Sequence, residues 1–262
     1  MLKASVRESD QEPGAVRGRK VIVNYKGRLG NQLFQFAIGW VLAQTAEAPL
    51  SARPIQGFSG TRGFDGERES FQPLHTRGHP IDIEACVQHL RLSGDVVIDG
   101  YHQRYEILRP MKHPIKALLS KVEGPKPETM PGPEDLVVQI RLGDYFSPRL
   151  VPRYGYPLED VVVLIRKQRF DRLYLTTDEP SHPFIQRLQS EFGAALGGKH
   201  PLEQFAFSIM ARRLVVTPSS YSWWAAWLSN AEQVFFPVEK GVWLRKNQVN
   251  LWVDDEPRYI PY

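Results

Sequence analysis

An arginine at the end of an apolar run is the residue of this chain best placed to do chemistry. In Val137-Val138-Gln139-Ile140-Arg141-Leu142-Gly143-Asp144-Tyr145 the run reads as a buried strand that stops at a guanidinium, a glycine and a carboxylate. Ligands of open α/β sheets bind where strand C-termini meet their loops. Arginine offers five donors in a planar fork and keeps its charge, which suits phosphate or carboxylate. An Arg141–Asp144 ion pair that merely shapes a turn is the plainer alternative. Two further loops sit after apolar runs in the same half of the chain. Asp178 and Glu179 follow Arg172–Thr176 and can accept hydrogen bonds from ribose hydroxyls or a base edge, although a helix cap also explains Asp178. Ser219, Ser220, Tyr221 and Ser222 follow Leu214–Thr217, where serine hydroxyls and helix-start amides can hold a diphosphate or simply cap the helix. If the preceding strands are parallel, all three loops share one edge of one sheet, and a nucleoside diphosphate fits the set.

The elements that must position these residues follow from pattern. Leu136–Ile140, Arg172–Thr176 and Leu214–Thr217 read as strands. Leu158–Gln168, Phe184–Phe192, Leu202–Arg212 and Trp223–Asn230 read as helices, and Trp223, Trp224 and Trp227 as core. In the first half, Lys20–Tyr25 and Asp95–Tyr101 read as strands. Between them Lys26-Gly27-Arg28-Leu29-Gly30-Asn31-Gln32 forms a glycine loop before a helical pattern from Leu33 to Ala46. That loop lacks the G-x-G-x-x-G dinucleotide spacing, which argues against an oxidoreductase. Arg53–His79 reads as a long loop, a length that is uncommon unless functional or disordered. Gly124–Pro133 (GPKPETMPGP) breaks helix and strand alike and reads as a linker. Strands alternating with helices on both sides of it predict an α/β protein with parallel sheets. The expected division is a leader over 1–18, a first domain over 19–123, the linker over 124–133 and a second domain over 134–262.

Composition bounds the partners. The 33 Lys+Arg against 29 Asp+Glu leave +4, too mild for a nucleic-acid track, and no basic run is interleaved with aromatics. A single cysteine, Cys86, excludes an internal disulfide and a cysteine zinc cluster. No apolar stretch approaches the ~20 residues that span a bilayer. The chain reads as soluble and cytoplasmic, with at most peripheral contact at an inner membrane.

Four motifs then resemble one family. Gly27–Ala37 (GRLGNQLFQFA) is similar to the G-x-L-G-N-Q-M-F-Q-Y-A opening of the α-1,2-fucosyltransferases, and Gly100–Tyr105 resembles a shortened form of their G-Y-F-Q-x-x-x-Y. Gln139–Tyr145 is similar to H-I-R-R-G-D-Y, and Ser219–Leu228 (SSYSWWAAWL) to S-S-F-S-W-W-G-A-W-L. The resemblance implies a GT-B-like fold, two Rossmann-like domains facing a cleft. It implies inverting, metal-independent transfer of fucose from GDP-fucose to a glycan hydroxyl, with no cofactor and a galactose-like acceptor terminus. Arg141 would then hold the β-phosphate, with Arg28 and Asn31 beside the reacting sugar. Gln139, Asp144, Asp178, Glu179, Ser219, Ser220, Tyr221 and Ser222 would bind the donor. The sequence departs from the motifs at Gln139 (histidine in the family), Leu142 (the second arginine) and Pro218 (an asparagine). These departures motivate two alternatives, another GDP-sugar donor and a nucleotide- or glycan-binding module without catalysis. No Asp-x-Asp metal motif is present; Asp82-Ile83-Glu84 comes nearest and reads better as a helix start. Asp65, Glu67 and Glu69 are candidate general bases by location alone.

Overall fold

Short β-branched runs build the first sheet of the computed structural model, which describes residues 18–64, 69–150, 155–237 and 249–262. Strands β1 (Val21–Val23), β2 (Leu50–Ser51), β3 (Leu74–Thr76) and β4 (Val96–Ile98) pair in the order β2-β1-β4-β3, every pair parallel. Parallel neighbours need crossover connections, and α1 (Leu29–Ala46) and α2 (Ile83–Leu92) supply them. Asp82 caps α2 by accepting a hydrogen bond from the Ala85 amide at 2.9 Å, as the helix-start reading of that segment requires. Two short helices follow, α3 (Tyr105–Leu108) and α4 (Lys112–Leu119).

The first half corrects the sequence reading twice. Helix α1 begins at Leu29, four residues before its apolar periodicity, because its opening turn faces a neighbouring helix rather than a hydrophobic core. The expected long loop over Arg53–His79 contains β3 and a 3-10 turn at Ser59–Thr61. A three-residue strand after Pro73 is too short for period-2 alternation to reveal.

The second sheet has six strands, β5 (Leu136–Ile140), β6 (Leu173–Thr177), β7 (Ala195–Leu196), β8 (Arg213–Val216), β9 (Gln233–Phe236) and β10 (Tyr259–Pro261). Their order is β10-β9-β8-β5-β6-β7, again parallel throughout. Strand β5 is buried over its whole length, as continuous apolar strands covered on both faces must be. Helices α5 (Leu158–Lys167) and α6 (Pro183–Phe192) cover one face. Helices α7 (Pro201–Met210) and α8 (Ser220–Leu228) cover the other.

That second face does not end at the sheet. Its core continues into the first half, where α1 packs on α8. The Phe34 ring lies 4.9 Å from both Trp223 and Trp224, and the rings of Trp223 and Trp227 stack at 5.3 Å. All three tryptophans are fully buried, as expected of core. Val249, Leu251 and Val253 enter the same cluster, and the Trp223 indole N–H donates to the Leu251 carbonyl at 2.7 Å. Asp255 and Glu256 then pair with Lys112 and Lys116 of α4, so the chain crosses back to the first half before β10. Residues 124–133 carry neither helix nor strand and lead from the first half into β5.

Candidate functional site

The adjacency of β8, β5 and β6 decides the geometry of the site. Because the three strands are neighbours and parallel, the loops after them meet on one sheet edge. Arg141 follows β5, and its backbone amide donates to Thr217 Oγ1, beyond β8, at 3.0 Å. Its guanidinium pairs with Asp178 Oδ2, beyond β6, at 2.7 Å and also with Asp144. The other Asp178 oxygen accepts from the Leu142 amide at 2.9 Å. Asp178 therefore braces the arginine and caps no helix; His182 caps α6. A side chain at Gly143 would collide with the Asp178 carboxylate, which explains the glycine between Leu142 and Asp144. The arginine stands 5.5 Å over the Tyr145 ring and is 17% exposed, so its fork is fixed on one side and open on the other. The ion pair offered as the plainer alternative exists, and the same side chain lines a cavity.

Helix α1 brings the first half to this point. Helices α1 and α8 begin side by side, close enough that a Cβ at Gly30 would overlap the backbone of Ser220 and Tyr221. Asn31 Oδ1 accepts from Ser220 Oγ at 2.9 Å and from Gln103 Nε2 at 2.7 Å, which aims the remaining amide donors of Asn31 away from both. Arg28 precedes α1 without capping it, and its exposed guanidinium has no partner among the described residues. Ser219 caps α8 by accepting from the Ser222 amide at 3.3 Å. Two helix starts, each with first-turn amides lacking intrahelical acceptors, thus sit beside two guanidinium groups. Such an arrangement stabilises a compact dianion.

A cavity of about 1200 Å³ opens between the two sheet edges. Its wall holds Arg28, Asn31, Gln139, Arg141, Asp144, Asp178, Ser219, Ser220, Tyr221 and Ser222. Glu179 does not line it; the residue is exposed on the turn after β6, with its amide donating to Thr177 Oγ1 at 3.2 Å. In the floor, Gln139 Oε1 and Ser222 Oγ are buried without a partner among the described residues. Buried polar atoms of native proteins are normally paired, so these two are free to meet a ligand. Burial pushes the Tyr221 hydroxyl well above the ordinary tyrosine range, and the residue lines the cavity as a neutral phenol. Leu142, where the motif has an arginine, is fully buried among Ile140, Tyr156 and the helices on the far face. That departure adds packing and takes nothing from the cavity wall.

The structure adds wall residues that the sequence did not single out. Tyr101 lines the first-half side, and Pro127, Glu128 and Thr129 of the connecting segment line the opposite end, where Lys199 pairs with Glu128 at 2.7 Å. Only the G-Y-H-Q stretch around Tyr101 carried a sequence signal. Asp65 and Glu67 lie outside the described residues, and Glu69 is exposed and absent from the cavity wall. Among the described residues no group of three His, Cys, Asp or Glu side chains could hold a metal ion, and no helix is long and apolar enough to cross a membrane.

Two facing parallel α/β units, with a cleft along their strand C-termini, make this a GT-B-like fold. No family model and no curated protein sequence matches the chain. Solved structures do. A mutant of Arabidopsis thaliana FUT1 in complex with GDP superposes with a TM-score of 0.55 at 11% identity, covering 88% of this chain and 75% of that one. Fucosyltransferase NodZ from Bradyrhizobium gives 0.49 at 13% identity, with 84% and 95% covered. NodZ alpha-1,6-fucosyltransferase soaked with GDP-fucose gives 0.48 at 14% identity, with 83% and 94% covered.

Proposed function

We propose that this chain transfers fucose from GDP-fucose to a glycan hydroxyl, with inversion and without a metal ion. One observation carries the reading: α1 and α8 begin side by side at the cavity, flanked by Arg141 and Arg28. Breaking the bond between the sugar and the β-phosphate builds negative charge on the diphosphate as the sugar becomes oxocarbenium-like. The Arg141 guanidinium, fixed by its carboxylates, and the helix-start amides stabilise that charge without reorganising, which is the largest catalytic term in most such sites. Asp144 is the more exposed of the two carboxylates that hold Arg141, and a bound β-phosphate competes with it for the fork. Gln139 Oε1 and Ser222 Oγ supply unpaired polar atoms for the nucleoside and phosphates. A solved structure of similar fold, the FUT1 mutant in complex with GDP, supports a GDP-linked donor. The motif resemblance favours the acceptor 2-hydroxyl, and an α-1,2 linkage is the finer part of this proposal.

Arg141→Ala tests the reading. Transfer, followed by released GDP with GDP-fucose as donor, should fall about 10²–10³-fold. The variant should still melt cooperatively. Turnover close to the unmutated rate would remove Arg141 from the mechanism. A panel of other GDP-sugars separates fucose from rival donors, and GDP binding by calorimetry with no transfer to any acceptor would mark a binding module.

A further inference from the structure

Asn31 lines the cavity with an amide whose two ends are in different states. Its Oδ1 accepts from Gln103 Nε2 at 2.7 Å and from Ser220 Oγ at 2.9 Å, which fills both lone pairs of that oxygen. Its Nδ2 has no protein partner among the described residues. An amide whose oxygen is already engaged is a stronger donor at nitrogen. Gly27 keeps the way to that nitrogen clear. The glycine lines the same wall at φ +76°, and a Cβ there would overlap Asn31 Nδ2. Asn31 also stands in the first turn of α1, one of the two helix starts at the cavity. Spare N–H donors at a helix start suit an oxygen that carries negative charge.

A side-chain amide is nearly symmetric in shape, so packing alone does not decide which end faces the cavity. The partners of Oδ1 decide it. Ser220 Oγ can donate or accept and would serve either orientation. Gln103 Nε2 only donates, so its bond keeps the oxygen turned in and the nitrogen turned out. Gln103 itself is absent from the cavity wall, and what it does there passes through Asn31. Its backbone is held on both sides: the amide donates to His79 Nδ1 at 3.3 Å, and the carbonyl accepts from the Asn250 amide at 3.0 Å.

We propose that Gln103 is a positioning residue of this site. By donating to Asn31 Oδ1 it turns the Asn31 N–H groups toward an anionic oxygen of the departing diphosphate. The inference deepens the fucosyl-transfer reading above and rests on it.

The test uses the full chain, GDP-fucose, and whichever galactose-, glucose- or N-acetylglucosamine-terminated saccharide the unmutated chain fucosylates. Gln103→Met, which keeps the bulk and loses the donor, should lower kcat about 3–10-fold. Gln103→Glu puts an ionised acceptor in the donor's place. Asn31 then donates inward and offers its own oxygen to the anion, so kcat should fall further, about 30–100-fold. KM for the acceptor should stay within about twofold in both variants, and both should melt cooperatively. In an Asn31→Ala background, itself slowed about 10²-fold, Gln103→Glu should change kcat by less than about twofold. A Gln103→Glu chain as fast as Gln103→Met overturns the inference, because Gln103 then accepts rather than donates. A further fall of more than about twofold in the Asn31→Ala background also overturns it, since Gln103 then acts elsewhere. A chain that transfers fucose and loses it with Arg141→Ala, but not with either Gln103 variant, refutes this inference alone. An unmutated chain that fucosylates no acceptor refutes the donor reading and the role of Gln103 with it.

Discussion

His102 shows how a single residue ties the stability of the fold to pH. It occupies a left-handed backbone position, φ +46°, and is fully buried, with Nε2 2.9 Å from Thr76 Oγ1. Burial lowers its pKa, and hydrogen bonds to the backbone of His79 and Pro80 only partly offset this. The folded chain therefore resists a proton that the unfolded chain accepts. The stability this neutral histidine contributes is whole above the ordinary histidine value of about 6.5 and is lost as pH falls below it. Asp99 acts in the same direction lower down, below the ordinary carboxylate value of about 3.9. We expect the melting temperature to drop between pH 7 and pH 5. His102→Asn, a residue that tolerates positive φ, should flatten that dependence while lowering stability overall. Arg141 was legible because an arginine at the end of an apolar run has one natural address, a strand C-terminus. The contact between His75 Nδ1 and Asp99 Oδ2, at 2.6 Å, was not, because Asp99 lies 24 residues away, just past β4, and nothing near His75 marks β3.

Among the elements, the contact between the first turns of α1 and α8 is the most demanding. Gly30→Ala places a methyl group into the backbone of Ser220 and Tyr221, where neither helix start can yield without moving the other. Overpacking of this kind costs about 1–3 kcal/mol. We expect a lower melting temperature together with weakened GDP binding by calorimetry; an unchanged affinity would separate this contact from the donor site. The strands that carry the site, β5, β6 and β8, were readable from their apolar runs, and their parallel order follows from the helices between them. The two- and three-residue strands β2, β3 and β7 were not, since periodicity needs more residues than they contain. The opening turn of α1 was missed for a related reason. Gly30 and Asn31 are dictated by what lies across the cleft, which leaves no helical stripe in the sequence.

Across the whole molecule the two halves are not independent. Phe34 of α1 and the tryptophans of α8 belong to one cluster, closed by Tyr105, Leu251 and Val253. Relative domain motion is the usual expectation for two α/β units, except where the surface between them is large and apolar. Here it is apolar and continuous with both cores. Thermal unfolding followed by tryptophan fluorescence and by far-ultraviolet circular dichroism should give coincident curves and a single transition. Two separated transitions would show that the halves melt as units.

Neither half, then, owns a complete interior. A recombinant that joins this first half to the second half of a relative inherits Phe34 from one parent and its tryptophan neighbours from the other. Viable crossovers are those whose parents agree on that aromatic wedge.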